Sequence, residues 1–271
     1  MRSSNTRARV AVAALLACCV PGAQTAVAQA AEFDIPRTAE GLPDFNGVWQ
    51  ALNEANWGLE ARAASAGPVK ELGAAYAAPP SLGVVEGGSI PYQPAAAAQR
   101  DENFAHRLER DPEVKCYLPG VPRANYMPHP FQIIQGDGDV IMAYQYRGAV
   151  RTIYMDDHQA APAPTWMGWS NGRFEGDSLV VATTDFNGLT WFDRAGNFHS
   201  EDLRVVERYT HISPDALMYE ATIEDPSVFT RPWTISMPLY RRLEENAEVL
   251  EFKCQEFAED LLYGEFAKPQ D

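Results

Sequence analysis

From residue 130 onward the chain consists of short runs of β-branched, aromatic and aliphatic residues, cut at short intervals by turns containing Gly, Asp or Pro. The runs cover residues 131–135, 140–146, 149–155, 169–174, 178–186, 203–211, 216–224, 233–240 and 248–254. Gly136-Asp137-Gly138, Arg147-Gly148, Glu175-Gly176-Asp177 and Ser213-Pro214-Asp215 lie between them, and each has the chemistry of a tight reversal. Helical segments do not alternate with these runs, so a parallel α/β sheet is disfavoured. A meander of this size either closes on itself or folds as two packed sheets. The pattern predicts an all-β antiparallel meander closing into a calycin/lipocalin-like barrel, with a β-sandwich as the alternative.

The remainder divides into two parts. Residues 1–30 carry Arg2, Arg7 and Arg9, an apolar run over 10–20, and Ala28-Gln29-Ala30, a small-x-small cleavage site. This is the pattern of a secretory signal peptide, and its apolar run is too short to span a bilayer. A periplasmic or secreted protein is expected. Leu15-Leu16-Ala17-Cys18 resembles a lipoprotein box and leaves anchoring through Cys18 as an alternative. Residues 31–115 hold a short apolar strand at Val48-Trp49, an Ala/Pro/Gly-rich arm over 61–100, and a helix expected over 95–110 behind Pro94. Phe104 and Leu108 would give that helix an apolar edge. Residues 116–271 form the expected barrel domain.

Composition narrows the function. Asp and Glu number 37 against 22 Lys and Arg, a net charge of −15, which disfavours nucleic acid and anionic membranes as partners. Removal of the leader leaves two cysteines, Cys116 and Cys254, and in an oxidising compartment two thiols most simply form one disulfide. The sequence holds no Gly-x-Ser-x-Gly elbow, phosphate-binding Gly-Lys loop or dinucleotide fingerprint. Its five His residues show no metal-ligand spacing, so neither a metal nor an organic cofactor is expected.

Several segments resemble those of a family of secreted bacterial β-rich proteins. They include Pro43-Asp44-Phe45-Asn46-Gly47-Val48-Trp49, Cys116-Tyr117-Leu118-Pro119-Gly120-Val121-Pro122-Arg123, Pro164-Thr165-Trp166-Met167-Gly168 and Glu175-Gly176-Asp177-Ser178-Leu179-Val180-Val181. Trp191-Phe192-Asp193-Arg194-Ala195-Gly196-Asn197-Phe198-His199-Ser200, Ile223-Glu224-Asp225-Pro226 and Pro232-Trp233-Thr234 extend the likeness over most of the chain beyond the leader. The resemblance implies export and a β-rich fold, and carries no activity with it. One departure stands out: Asp156-Asp157-His158-Gln159 occupies the place of the family's Asp-Gly-Arg-Pro-His-Pro stretch.

Candidate site residues follow from placement. The connection from Phe186 to Glu201 concentrates Trp191, Asp193, Arg194 and His199 between two strands, where reactive groups are commonly carried. Asp193 can orient His199 for proton exchange, while the plainer reading makes Asp-x-x-Gly-Asn a turn. In the run 203–211, Glu207 shares a face with Leu203, Val205 and Tyr209. Arg151 shares one with Ile153, so an internal Arg151–Glu207 pair is expected, either as a structural bond or as the polar floor of a pocket. The functional reading makes Glu207 a further acid or base. Trp166, Trp169 and Trp191 lie in or beside loops and suit the walls of a site for a small apolar or ring-shaped molecule. Tyr126, His129 and His158 are candidate rim residues. The expectation is an exported enzyme doing cofactor-free acid–base chemistry (elimination, hydration, isomerisation or hydrolysis), with a non-catalytic lipocalin-like binding protein as the alternative.

Overall fold

The computed structural model describes residues 33–67, 77–155 and 160–258. The segment read as a signal peptide, Cys18 and His158 lie outside the described residues. Nine strands form a closed barrel: β1 Gly47–Ala51, β2 Phe131–Gln135, β3 Val140–Tyr144, β4 Val150–Tyr154, β5 Trp169–Glu175, β6 Ser178–Thr184, β7 Arg204–Ser213, β8 Ala216–Glu224 and β9 Trp233–Arg241. Each strand pairs with its neighbour in chain order, and β1 closes the ring against β9. Alternation does what the sequence pattern requires. Val205, Glu207 and Tyr209 of β7, Leu217, Tyr219, Ala221 and Ile223 of β8, and Trp233, Ile235, Met237 and Leu239 of β9 all point inward and are buried.

Three expectations are corrected. Residues 248–254 make no strand, and the ninth strand of the barrel is β1, the short strand expected at Val48-Trp49, about eighty positions upstream of β2 and ahead of the arm. Trp49 is the reason: its ring is fully buried in the core and its Nε1 donates to the Phe45 carbonyl at 2.9 Å. The meander is also not antiparallel throughout. β4 and β5 run parallel, sharing only the pairs Ile153↔Ser170 and Tyr154↔Asn171. A parallel pair cannot be joined by a tight turn, so β4 and β5 depart from a simple meander. Finally, the helix breaks at His106 into α1 Pro94–Ala105 and α2 Arg107–Arg110. Its docking edge is Ala96 and Asn103, with Phe104 left exposed. Asn103 Nδ2 donates to the Gly196 carbonyl at 3.2 Å, and Gly196 (φ +84) lies so close to α1 that a Cβ would meet the Arg100 carbonyl and the Phe104 amide, both at 2.7 Å.

Residues 84–86 of the arm are more ordered than an Ala/Pro/Gly-rich composition suggests. Glu86 N donates to the Thr234 carbonyl and Ser236 N to the Val84 carbonyl, both at 2.9 Å, so this stretch of arm bonds to the part of β9 that β1 is too short to reach. A plug reaches the interior of the barrel, where Asn125 meets Glu207. The 3₁₀ turn Arg123–Tyr126 is wholly buried there, with Val121 and Met127 beside it.

Candidate functional site

The plug and the strands meet in a polar network at the heart of the barrel. Arg151 and Glu207 form the expected ion pair through Nη2 and Oε2, with side chains 2% and 0% exposed. Arg151 Nε donates to Ser170 Oγ and Nη2 to Thr183 Oγ1, each at 2.7 Å. Glu207 Oε1 accepts from Asn125 Nδ2 at 2.7 Å and from the Tyr209 and Tyr219 hydroxyls at 2.9 Å. The Tyr144 hydroxyl donates to Asn125 Oδ1 at 2.9 Å and holds the amide in that orientation. Within the network Arg151 Nη1 alone lacks a partner among the described residues.

Charge states follow. Burial lowers the pKa of Arg151, but the Glu207 carboxylate more than offsets it, so the guanidinium stays charged. Burial, reinforced by Glu207, pushes the Tyr209 and Tyr219 phenols well up, and burial takes Tyr144 to about 12. All three remain donors at neutral pH. A carboxylate with one cation and three neutral donors is a satisfied internal acceptor, and no face of Glu207 is open to a substrate. The structural bond, not the acid–base role, is what this geometry builds.

The expected Asp193–His199 pair does not form. Asp193 Oδ1 accepts from Ala195 N (2.9 Å) and Asn197 N (3.2 Å); Oδ2 accepts from Leu59 N (2.8 Å) and Asn197 Nδ2 (2.6 Å). Burial pushes its pKa up and these N–H donors draw it back, which is the chemistry of a buried Asx turn. His199 is held separately. Its Nδ1 donates to the Ser200 carbonyl at 2.7 Å and its Nε2 accepts from the Thr190 hydroxyl at 2.6 Å. The ring packs on Phe186 and Phe192, and burial takes its pKa to about 4, so it is neutral and internal. Tyr126 and Trp191 are likewise buried, Tyr126 donating to the Phe192 carbonyl at 2.9 Å. They belong to the plug and the loop core instead of a rim.

What the structure does bring together is Arg151, Trp166 and Trp169. They line a groove of about 310 Å³ at the β4–β5 junction, with Tyr154, Leu118, Met167 and Thr165. It lies beside a junction at which two ladder pairs join the strands. Trp169 stacks on Tyr154 across the junction at 4.7 Å, and Trp166 leans on Tyr117 at 4.8 Å. Thr165 N bonds the Asp185 carbonyl, Asn187 N bonds the Thr165 carbonyl, and Gly168 (φ +70) turns the chain where a Cβ would strike Thr183 Cγ2 at 2.6 Å. Arg151 borders this groove while its guanidinium serves the interior. Tyr154 and Tyr117 escaped the sequence reading because the partner of Tyr154 is set by the parallel pairing, which no local pattern encodes.

Among the described residues no three His, Cys, Asp or Glu side chains converge as metal ligands, and no helix is long and apolar enough to cross a membrane. No family model, curated protein or solved structure matched this chain in comparison.

Proposed function

We propose that this protein is a non-catalytic binding protein that takes a small, planar, largely apolar molecule in the groove between β4 and β5. The observation carrying the reading is the pair of half-buried tryptophans, Trp166 and Trp169, lining a 310 Å³ space whose charged neighbour, Arg151, is already neutralised by Glu207. Aromatic walls with few polar groups suit a flat apolar ligand, and a neutralised cation offers no reward to an anion. The internal bonding of Asp193, His199 and Glu207 favours this reading over acid–base catalysis. Export of the chain remains part of the proposal and rests on the pattern of residues 1–30.

The test is native mass spectrometry of protein purified gently from its source, followed by tryptophan-fluorescence titration with the molecule recovered. Trp166→Ala and Trp169→Ala are expected to weaken binding about tenfold each while leaving the fold intact. A ligand whose affinity is indifferent to both substitutions would remove the groove from consideration.

A further inference from the structure

Away from that groove, residues 243–258 follow the last strand without joining the sheet. Most of them are exposed, and among the described residues one backbone hydrogen bond ties them to the rest, from Phe257 N to the Val114 carbonyl at 2.7 Å. Beyond the Arg242–Glu244 ion pair at their start, two side chains hold them to the rest. Cys254 is disulfide-bonded to Cys116, with Cα atoms 5.8 Å apart. Phe252 packs edge-on against His129 at 4.9 Å and against Tyr146 at 5.2 Å. Together they wall a pocket of about 350 Å³ that also holds Glu113 and Arg194. Those two form a close pair at 2.6 Å, and the Arg194 guanidinium lies over Trp57 at 4.3 Å.

We infer that residues 248–258 are a strap fastened by the Cys116–Cys254 disulfide over a second, aromatic-lined pocket, and that a dithiol reductant opens this pocket without unfolding the barrel. The ladder of the barrel runs from β1 to β9 and takes nothing from the strap, so the disulfide holds a cover and not a wall. Cys116 is 1% exposed whereas Cys254 is half-buried, so Cys254 Sγ is the sulfur open to attack. One thiolate of the reductant bonds to Cys254 and Cys116 leaves as its thiolate. The second thiol of the reductant then displaces Cys254. The protein S–S bond breaks, an S–S bond forms in the reductant, and two electrons and two protons pass to the protein. Phe252 is then held only by its ring contacts and the Phe257–Val114 hydrogen bond, and its departure uncovers one side of the stacked His129–Tyr146 pair.

Hydrogen exchange read by mass spectrometry tests this on oxidised protein, dithiothreitol-treated protein and Cys254→Ser. Peptides spanning 247–258 should exchange like unfolded chain in the last two, with the strand peptides still protected and far-UV circular dichroism unchanged. Carbethoxylation of His129 by diethylpyrocarbonate should accelerate about tenfold on loss of the aromatic cover. Phe252→Ala, with the disulfide intact, should accelerate it similarly. Sheet protection lost together with the strap would overturn the inference, as would a strap that stays protected on reduction. A His129 reactivity unmoved by both reduction and Phe252→Ala would do the same.

Discussion

Neutral, buried His199 makes stability depend on pH in a calculable way. Burial lowers its pKa from an ordinary 6.5 to about 4, against the smaller opposing pulls of the Ser200 carbonyl and Asp225. In the unfolded chain the imidazole takes up a proton as pH falls through about 6.5. The folded protein takes it up only near 4. Between these values the unfolded state binds more protons, so stability falls as the solution is acidified, and the loss levels off below about 4. At 1.36 kcal/mol per pH unit the whole window contributes about 3 kcal/mol. Asp193 and Asp111, whose pKa values burial raises, act in the opposite direction, because the folded state protonates them first. The experiment therefore compares two proteins. Urea unfolding of the wild type and of His199→Gln is followed from pH 7.5 to 3.5. The carboxylates cancel in the difference, which should close by about 3 kcal/mol, the wild type losing more. Parallel curves would refute the assignment of a neutral, fully enclosed imidazole donating through Nδ1.

Three further outcomes follow from the same packing. Glu207→Gln strands a buried guanidinium and should cost about 3–5 kcal/mol by denaturant titration, whereas adding Arg151→Met should recover about 2 kcal/mol, since Gln still accepts from Asn125 and the tyrosines. Asp193→Ala orphans the amides of Leu59, Ala195 and Asn197 and should lower stability by at least about 2 kcal/mol. Gly168→Ala forces a Cβ onto Thr183 at a left-handed backbone position. It should cost about 1–3 kcal/mol and shift the tryptophan emission of the groove without altering the far-UV spectrum.

The inner lining was legible because burial acts on every second residue of a strand. Arg151 and Glu207 stand out in that period as charges among apolar neighbours, and two such charges are tolerable inside only as partners. Asn125 and Tyr144 were not legible as their companions, because a plug residue's neighbours depend on how deep the 3₁₀ turn enters the barrel. Asp193 and His199 show the opposite hazard. Six positions apart in a polar loop, they read as a dyad, yet each found backbone groups nearer than the other, which is the ordinary fate of Asp in a turn.

The amino-acid sequence by itself determined the segments that become β2 to β9, which of their faces turn inward and that Cys116 and Cys254 would pair, since period, turn chemistry and thiol count are local or countable properties. Tertiary structure decided that Gly47–Ala51 closes the ring while 248–254 stays outside it, and that β4 meets β5 in parallel. Those choices depend on lateral closure, in which each strand must satisfy two neighbours at once and the ring must end where it began. The groove at β4–β5 and the strap over His129 are both consequences of that closure, so neither the site nor its cover is written in any single segment.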